Sequence, residues 1–321
     1  METSVTSSRS LIRFYLAMAG AVLFFLVMAS FTGALHDEAI NKTGNVIMIL
    51  MSLSLLFMGG YTIFRFYKIA PSLELDETSI TFNKTDTYYW KDLEKVELSG
   101  KLPFIFLTYR EGIIIKFKGQ DIRGFLDFAY INTPEIKTFI QQVVIDKKPF
   151  NFSSLKEIGS ETVAAEPFVF YKGYQLLCVE GIALWLFLVP ILFFLIKLLI
   201  KSEFISAIVV LSLGALLFLT FGLRLYYFGL SDDYLAIQLH NVPWFRKIYR
   251  LADIKEIVFE TESKMPTCLR VITNNFESKL YPAGSLWSKR WLELKKDLED
   301  KNIKVRNECV YYEPFEFKWF N

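Results

Sequence analysis

Four long stretches of this 321-residue chain carry almost no charge, and a chain with such stretches has to take them out of water. Residues 14–35, 43–64 and 204–223 contain no Asp, Glu, Lys or Arg, and residues 173–196 contain only Glu180. Each is about long enough to cross a ~30 Å hydrocarbon core as a helix. The first is longer than the ~7 to 15 apolar residues of a signal peptide, so the sequence is read as two transmembrane hairpins. With 53% hydrophobic and 22% charged residues, the remainder is too polar to sit in lipid, so soluble lobes must accompany the spans.

Basic residues near the ends of these stretches give an orientation. Arg9, Arg13, Arg65, Lys68, Lys172 and Arg224 fall on one side, and Lys42, Lys197 and Lys201 on the other. The first set is the larger, which places both termini and both soluble segments in the cytoplasm. A net charge of +2 offers no basic surface for nucleic acid, and none is expected as a partner. Cys178, Cys268 and Cys309 are widely spaced and form no CxxC pair, so they are read as reduced, with no metal site and no cofactor.

The chain repeats itself at an interval of about 157 to 165 residues. Phe14-Tyr15 corresponds to Phe170-Tyr171. Asp76 to Phe82 aligns with Asp233 to Leu239, and Trp90-Lys91-Asp92-Leu93 with Leu251-Ala252-Asp253-Ile254 after a few extra residues in the second copy. Each lobe ends in Pro-Phe-x-Phe, at 149–152 and 314–317, and a similar stretch stands at 167–170. The expected layout is a hairpin at 1–68, a lobe at 69–148, a linker at 149–172, a second hairpin at 173–228, a second lobe at 229–306 and an aromatic tail at 307–321.

Short β-rich runs at 79–82, 87–90, 95–98, 104–108 and 113–117 alternate with turn residues, the pattern of an antiparallel meander. A helix follows, with Thr133 as its N-cap and with Ile136, Phe139, Ile140, Val143 and Val144 on one face. The second lobe repeats this with runs at 234–239, 246–249, 253–259, 269–273 and 278–281. A helix capped by Ser285 comes next, with Trp287, Trp291, Leu294 and Leu298 as its buried face. Strands first and one closing helix last is α+β order.

The segments LELDETSITF at 73–82 and YYWKDLEKVEL at 88–98, placed after two apolar spans, resemble the bacterial membrane-anchored PH-like proteins, in which a W-x-D-I-like motif opens a bent barrel. Trp90-Lys91-Asp92-Leu93 matches that motif, whereas the second copy lacks the tryptophan. The resemblance implies a tandem duplication: a membrane α+β protein with four transmembrane helices as two hairpins, each followed by a small antiparallel PH-like lobe closed by a C-terminal helix. It also implies residence in a bacterial inner membrane.

No Walker, Gly-x-Ser-x-Gly, His-Glu-x-x-His or Gly-x-Gly-x-x-Gly pattern is present, so no catalytic residue is assigned. Trp90, Asp92 and Asp253 read as structural residues at strand ends. Two places hold candidate functional residues. Arg246, Lys247, Arg250, Lys289 and Arg290 cluster basic charge in the second lobe, suited to an anionic lipid headgroup or a protein partner. Glu180 is the ionisable residue inside a span, the polar element that a small transporter or channel component would use. The expected function is a non-enzymatic platform in the bilayer, docking other membrane proteins or sensing lipid headgroups, with a transporter as the alternative.

Overall fold

The computed structural model describes residues 4–10, 57, 60, 61, 64, 68, 70–103, 109–261 and 265–309. The chain divides into two compact units, Met1–Ser153 and Ser154–Asn321.

In the first unit, β1 (Val5–Thr6), β2 (Leu73–Leu75), β3 (Ser79–Phe82) and β4 (Asp86–Tyr89) form one antiparallel sheet in that order. The second sheet is β5 (Leu93–Pro103), β6 (Tyr109–Phe117) and β7 (Arg123–Leu126). A short helix α1 (Thr133–Phe139) runs on into a wider turn, Ile140–Ile145, and lays Ile136, Phe139, Ile140 and Val144 on the sheets. Together they bury Ile80, Trp90, Ile113, Phe117 and Phe125. Asn132, not Thr133, is the residue ahead of the helix; the Thr133 hydroxyl instead donates to the Asp127 carbonyl at 2.6 Å.

The second unit repeats the plan. Its first sheet is β8 (Val169–Tyr171), β9 (Tyr226–Leu230), β10 (Tyr234–Leu239) and β11 (Val242–Arg250), each antiparallel to its neighbour. The other contains β12 (Ile254–Thr261), β13 (Thr267–Thr273) and β14 (Ser278–Pro282). Helices α2 (Val179–Ile200) and α3 (Phe204–Phe221) fall between β8 and β9, so the helical hairpin is inserted inside the lobe's first sheet. Likewise β1 pairs with β2 although residues 7–72 separate them. Helix α4 (Ser288–Asp300) closes the lobe and packs Trp291 against Phe228 and Phe259, with ring centroids 5.5 and 4.8 Å apart.

Backbone hydrogen bonds set the true register of the repeat. Asp76 donates to the Ser79 carbonyl as Ser231 does to Tyr234, and Trp90 donates to Thr78 as Leu251 does to Asp233. Asp76 therefore corresponds to Ser231, two residues from the expected Asp233. A two-residue slip leaves every side chain on its original face, which is why hydrophobic pattern alone does not detect it. By the same pairing Val5, opposite Leu75, matches Val169, opposite Leu230, rather than Phe14 matching Phe170. Trp90-Lys91-Asp92 and Leu251-Ala252-Asp253 do coincide as equivalent one-turn helices, and both Trp90 and Leu251 are buried.

Two parts of the expected fold are corrected. Among the described residues, two helical stretches rather than four are long and apolar enough to cross a membrane, Val179–Ile200 and Ser206–Arg224, and the strands assemble into four mostly antiparallel sheets. The runs 14–35 and 43–64 lie outside the described residues, except that Phe57, Gly60, Tyr61 and Phe64 are helical. Nor is each lobe a purely antiparallel meander ended by its helix. After α4 the chain returns as β15 (Val305–Asn307), which runs parallel to β12 at the sheet edge. The expected tail extends beyond the described residues from 310 onward.

Candidate functional site

The second unit is knitted together where the helical hairpin meets the lobe. Three loops converge there, and each is tied to a hairpin end through polar groups. The turn between β10 and β11 carries His240 and Asn241. The His240 amide donates to the Leu225 carbonyl at 3.1 Å, and the Asn241 side-chain amide donates to the Gly222 carbonyl at 3.1 Å. Gln175, just ahead of α2, hydrogen-bonds the Asn241 side chain from the other end of the hairpin.

The loop between β14 and α4 supplies the third tie. Gly284 donates to the Arg224 carbonyl at 3.0 Å, Ala283 bridges to Leu225, and the buried Ser285 hydroxyl lies 3.3 Å from His240 Nε2. On the hairpin side, Cys178 precedes the first turn of α2, and its Sγ accepts from the Gly181 amide at 3.3 Å.

The extra residues of the second copy are what reach this site. Leu251 follows Trp90 by 161 positions and Tyr234 follows Ser79 by 155, so the β10–β11 hairpin is six residues longer than β3–β4. Ile237 pairs with Lys247 as Phe82 pairs with Asp86, which confines the insertion to positions 238–246. Three more residues on each strand extend the hairpin by about 10 Å. That length brings His240 and Asn241 to the helix ends.

His240 is half-buried, its ring 4.7 Å from Tyr227, with Lys172 stacked on that tyrosine from 4.5 Å. Loss of solvent, then the Lys172 charge, hold its pKa below the usual 6.5. In the unfolded chain His240 takes up its proton near pH 6.5, and in the folded chain only at lower pH. Its contribution to stability is therefore complete above pH 6.5 and is lost as pH falls below it. Amide protection of β10 and β14 should drop between about pH 7.5 and about pH 5.5, and less so in His240→Gln, which cannot protonate. Equal losses in the two proteins would remove His240 as the group responsible.

The five basic residues expected to act together are divided by the fold. Arg246 stacks on Phe168, its guanidinium carbon 4.9 Å from the ring, and Lys247 is ion-paired with Glu157. Arg250 is exposed at the far end of β11, about 25 Å along the strand from Val242. Lys289 and Arg290 are exposed in the first turn of α4, three and four residues after Leu286, with Arg290 2.7 Å from Glu293.

Glu180 lies inside the apolar stretch Val179–Ile200, in the first turn of α2, where the helix dipole favours a carboxylate. Its carboxylate rests against Gly284, where an added Cβ would lie 2.5 Å from Oε2. Trp287 is the residue ahead of α4 and is 60% exposed, so the buried stripe begins at Trp291, and Ser285 is bonded to His240 rather than capping the helix. No local motif assigns His240, Asn241 or Gln175 to this site. The visible signal was the unexplained insertion in the second copy.

No protein-family model matches this chain, and no curated protein matches it.

Proposed function

We propose that the protein is a non-catalytic, membrane-anchored platform in which the α2–α3 hairpin spans the bilayer and holds a β-rich lobe at its surface. One observation carries this reading. The hairpin is apolar all round yet almost entirely uncovered, with 6% of the first stretch and 17% of the second buried. A core helix of a soluble protein would be mostly buried, and leaving Leu186, Phe187, Leu192, Phe193 and Phe194 exposed in water would be costly. At 22 residues, α2 is about 33 Å long, enough for a hydrocarbon core. Pro190 lies within it without interrupting the helix.

Each unit has a four-strand sheet, three further antiparallel strands and a closing helix, which supports the resemblance to membrane-anchored PH-like proteins and a docking or sensing role. Lys172 and Arg224 at the lobe end of this hairpin are matched by Lys197 and Lys201 at its turn, so a cytoplasmic lobe rests on the larger basic count over all four apolar runs, and a bacterial inner membrane on the resemblance. The transporter alternative has less support, because Glu180 stands at the hairpin mouth, in the first turn of α2, with its carboxylate beside Gly284.

Carbonate washing of membranes carrying the full chain should leave it in the pellet. A cysteine introduced at Ser202, in the α2–α3 turn, should react with an impermeant reagent from outside, while one at Asp300 should not. Release by carbonate, or the reverse labelling, would overturn the anchoring or the orientation respectively.

A further inference from the structure

The three loops around the hairpin base carry exposed apolar side chains that the fold itself does not use, and α4 begins with two exposed cations, Lys289 and Arg290, the second paired with Glu293. Tyr174 is 70% exposed, and Leu176 and Leu177 beside it are exposed immediately before α2 enters its apolar stretch. Trp244, three residues beyond Asn241, is 83% exposed on an edge strand, and Trp287 is exposed two residues after Ser285. Each of these loops is tied to a helix end: Gln175 by its own bond to Asn241, Asn241 to Gly222, and Gly284 to Arg224. The aromatic rings are therefore held within a few residues of where α2 and α3 leave the lobe.

The start of α4 breaks local rules in the same place. Helices favour Ser, Thr, Asp or Asn ahead of the first turn and acidic residues within it. Here Trp287 stands in front without a side-chain cap, the first turn has no acid, and Lys289 and Arg290 occupy the positive end of the helix dipole. Such a departure from helix chemistry is expected where a residue is used for something outside the fold. Trp244 arises in the same way, since it lies within the six-residue insertion that the first copy lacks. Trp and Tyr beside Lys and Arg are the side chains that settle at a bilayer's headgroup level.

We infer that Tyr174, Leu177, Trp244, Trp287, Lys289 and Arg290 form a collar that seats the second lobe in the headgroup layer of an anionic bilayer. This rests on the hairpin spanning that bilayer. The rings enter the interface beside the helices, and the two cations face lipid phosphates. The lobe is then held flat on the membrane rather than swinging on its two connections.

The test uses the full chain in vesicles of phosphatidylcholine with and without phosphatidylglycerol. The background carries Cys178→Ser, Cys268→Ala and Cys309→Ser, checked for wild-type circular dichroism. Single fluorescent labels are placed through Trp244→Cys, Trp287→Cys, Leu192→Cys in the middle of α2, or Asp300→Cys at the far end of α4, and quenched with brominated lipid or aqueous iodide.

The collar predicts lipid quenching of the labels at 244 and 287, stronger with phosphatidylglycerol, while the label at 300 is quenched by iodide. Lys289→Gln with Arg290→Gln should abolish the phosphatidylglycerol-dependent part. If the label at 192 is lipid-quenched but those at 244 and 287 respond to iodide, or to neither quencher because a protein covers them, the collar is overturned and the hairpin reading stands. If the label at 192 escapes lipid quenching, the hairpin reading fails first. Quenching at 244 and 287 that ignores phosphatidylglycerol overturns the assignment of anionic lipid.

Discussion

Lys137→Met is expected to destabilise the first unit by about 3 kcal/mol, because it removes a buried cation held between two largely buried carboxylates. The Lys137 side chain is 1% exposed, with Nζ 2.5 Å from Asp127 Oδ2 and 3.8 Å from Glu111 Oε1. Both carboxylates are themselves largely out of solvent, one on β6 and one just after β7, so the lysine of α1 ties the helix to the second sheet. Without it, Glu111 and Asp127 lose a counter-charge in a poorly polarisable interior, where charge is far more costly than in water. Methionine keeps the volume and tests the charge alone. Hydrogen exchange in detergent should show protection lost across β5, β6 and β7 while the second unit is unchanged. Wild-type protection in Lys137→Met would show that the cluster does not hold the helix down.

The duplication and the order of elements were legible because they rest on pattern. Ile80, Phe82, Ile113, Ile115 and Phe117 alternate along strands, and Trp291, Leu294 and Leu298 recur on one helical face, and all of them are buried. Parts fixed by distant partners were not legible. Strands β1 and β8 are two and three residues long, too short to show a period, and exist only because β2 and β9 lie next to them. The Trp287 error has a related cause. Counting back four from Trp291 places it on the buried face, but it precedes the first helical residue, where helical direction does not apply.

The candidate site was harder still, being a meeting of residues far apart in the chain. His240 touches Ser285 across 45 positions and Gln175 meets Asn241 across 66. No local motif marks such pairs. The basic residues were visible, but strand direction decides which of them reach the hairpin. Counting along β11 from the turn at Asn241 separates Arg250 from Lys289 and Arg290, which a list of charges cannot do.

Gly173→Ala is expected to pull the second lobe away from its hairpin at a cost of about 3 kcal/mol or more, at or beyond the upper end of typical overpacking penalties. A Cβ built there would lie 1.5 Å from the Ser285 carbonyl oxygen and 2.2 Å from its carbon. No rotamer relieves a clash with backbone, so the 283–286 loop or the strand leading into α2 must move. Such a shift acts on the Gly284 bond to Arg224, the Ala283 bridge to Leu225 and the Ser285 contact with His240, which share the same few residues. Gly284→Ala should be much milder, because its nearest neighbours are the atoms of the Glu180 carboxylate, the end of a flexible side chain. Gly159→Ala, with nothing closer than 4.0 Å, serves as the neutral control. Hydrogen exchange in detergent reads the difference: amides at Gly284 and His240 should exchange on the order of a hundredfold faster in Gly173→Ala, as local opening weakened by about 3 kcal/mol requires. Core strands β12 and β13 should keep their protection, since their bonds do not pass through the hairpin. Unchanged exchange at Gly284 and His240 would mean that the close approach at Gly173 does not couple the hairpin to the lobe.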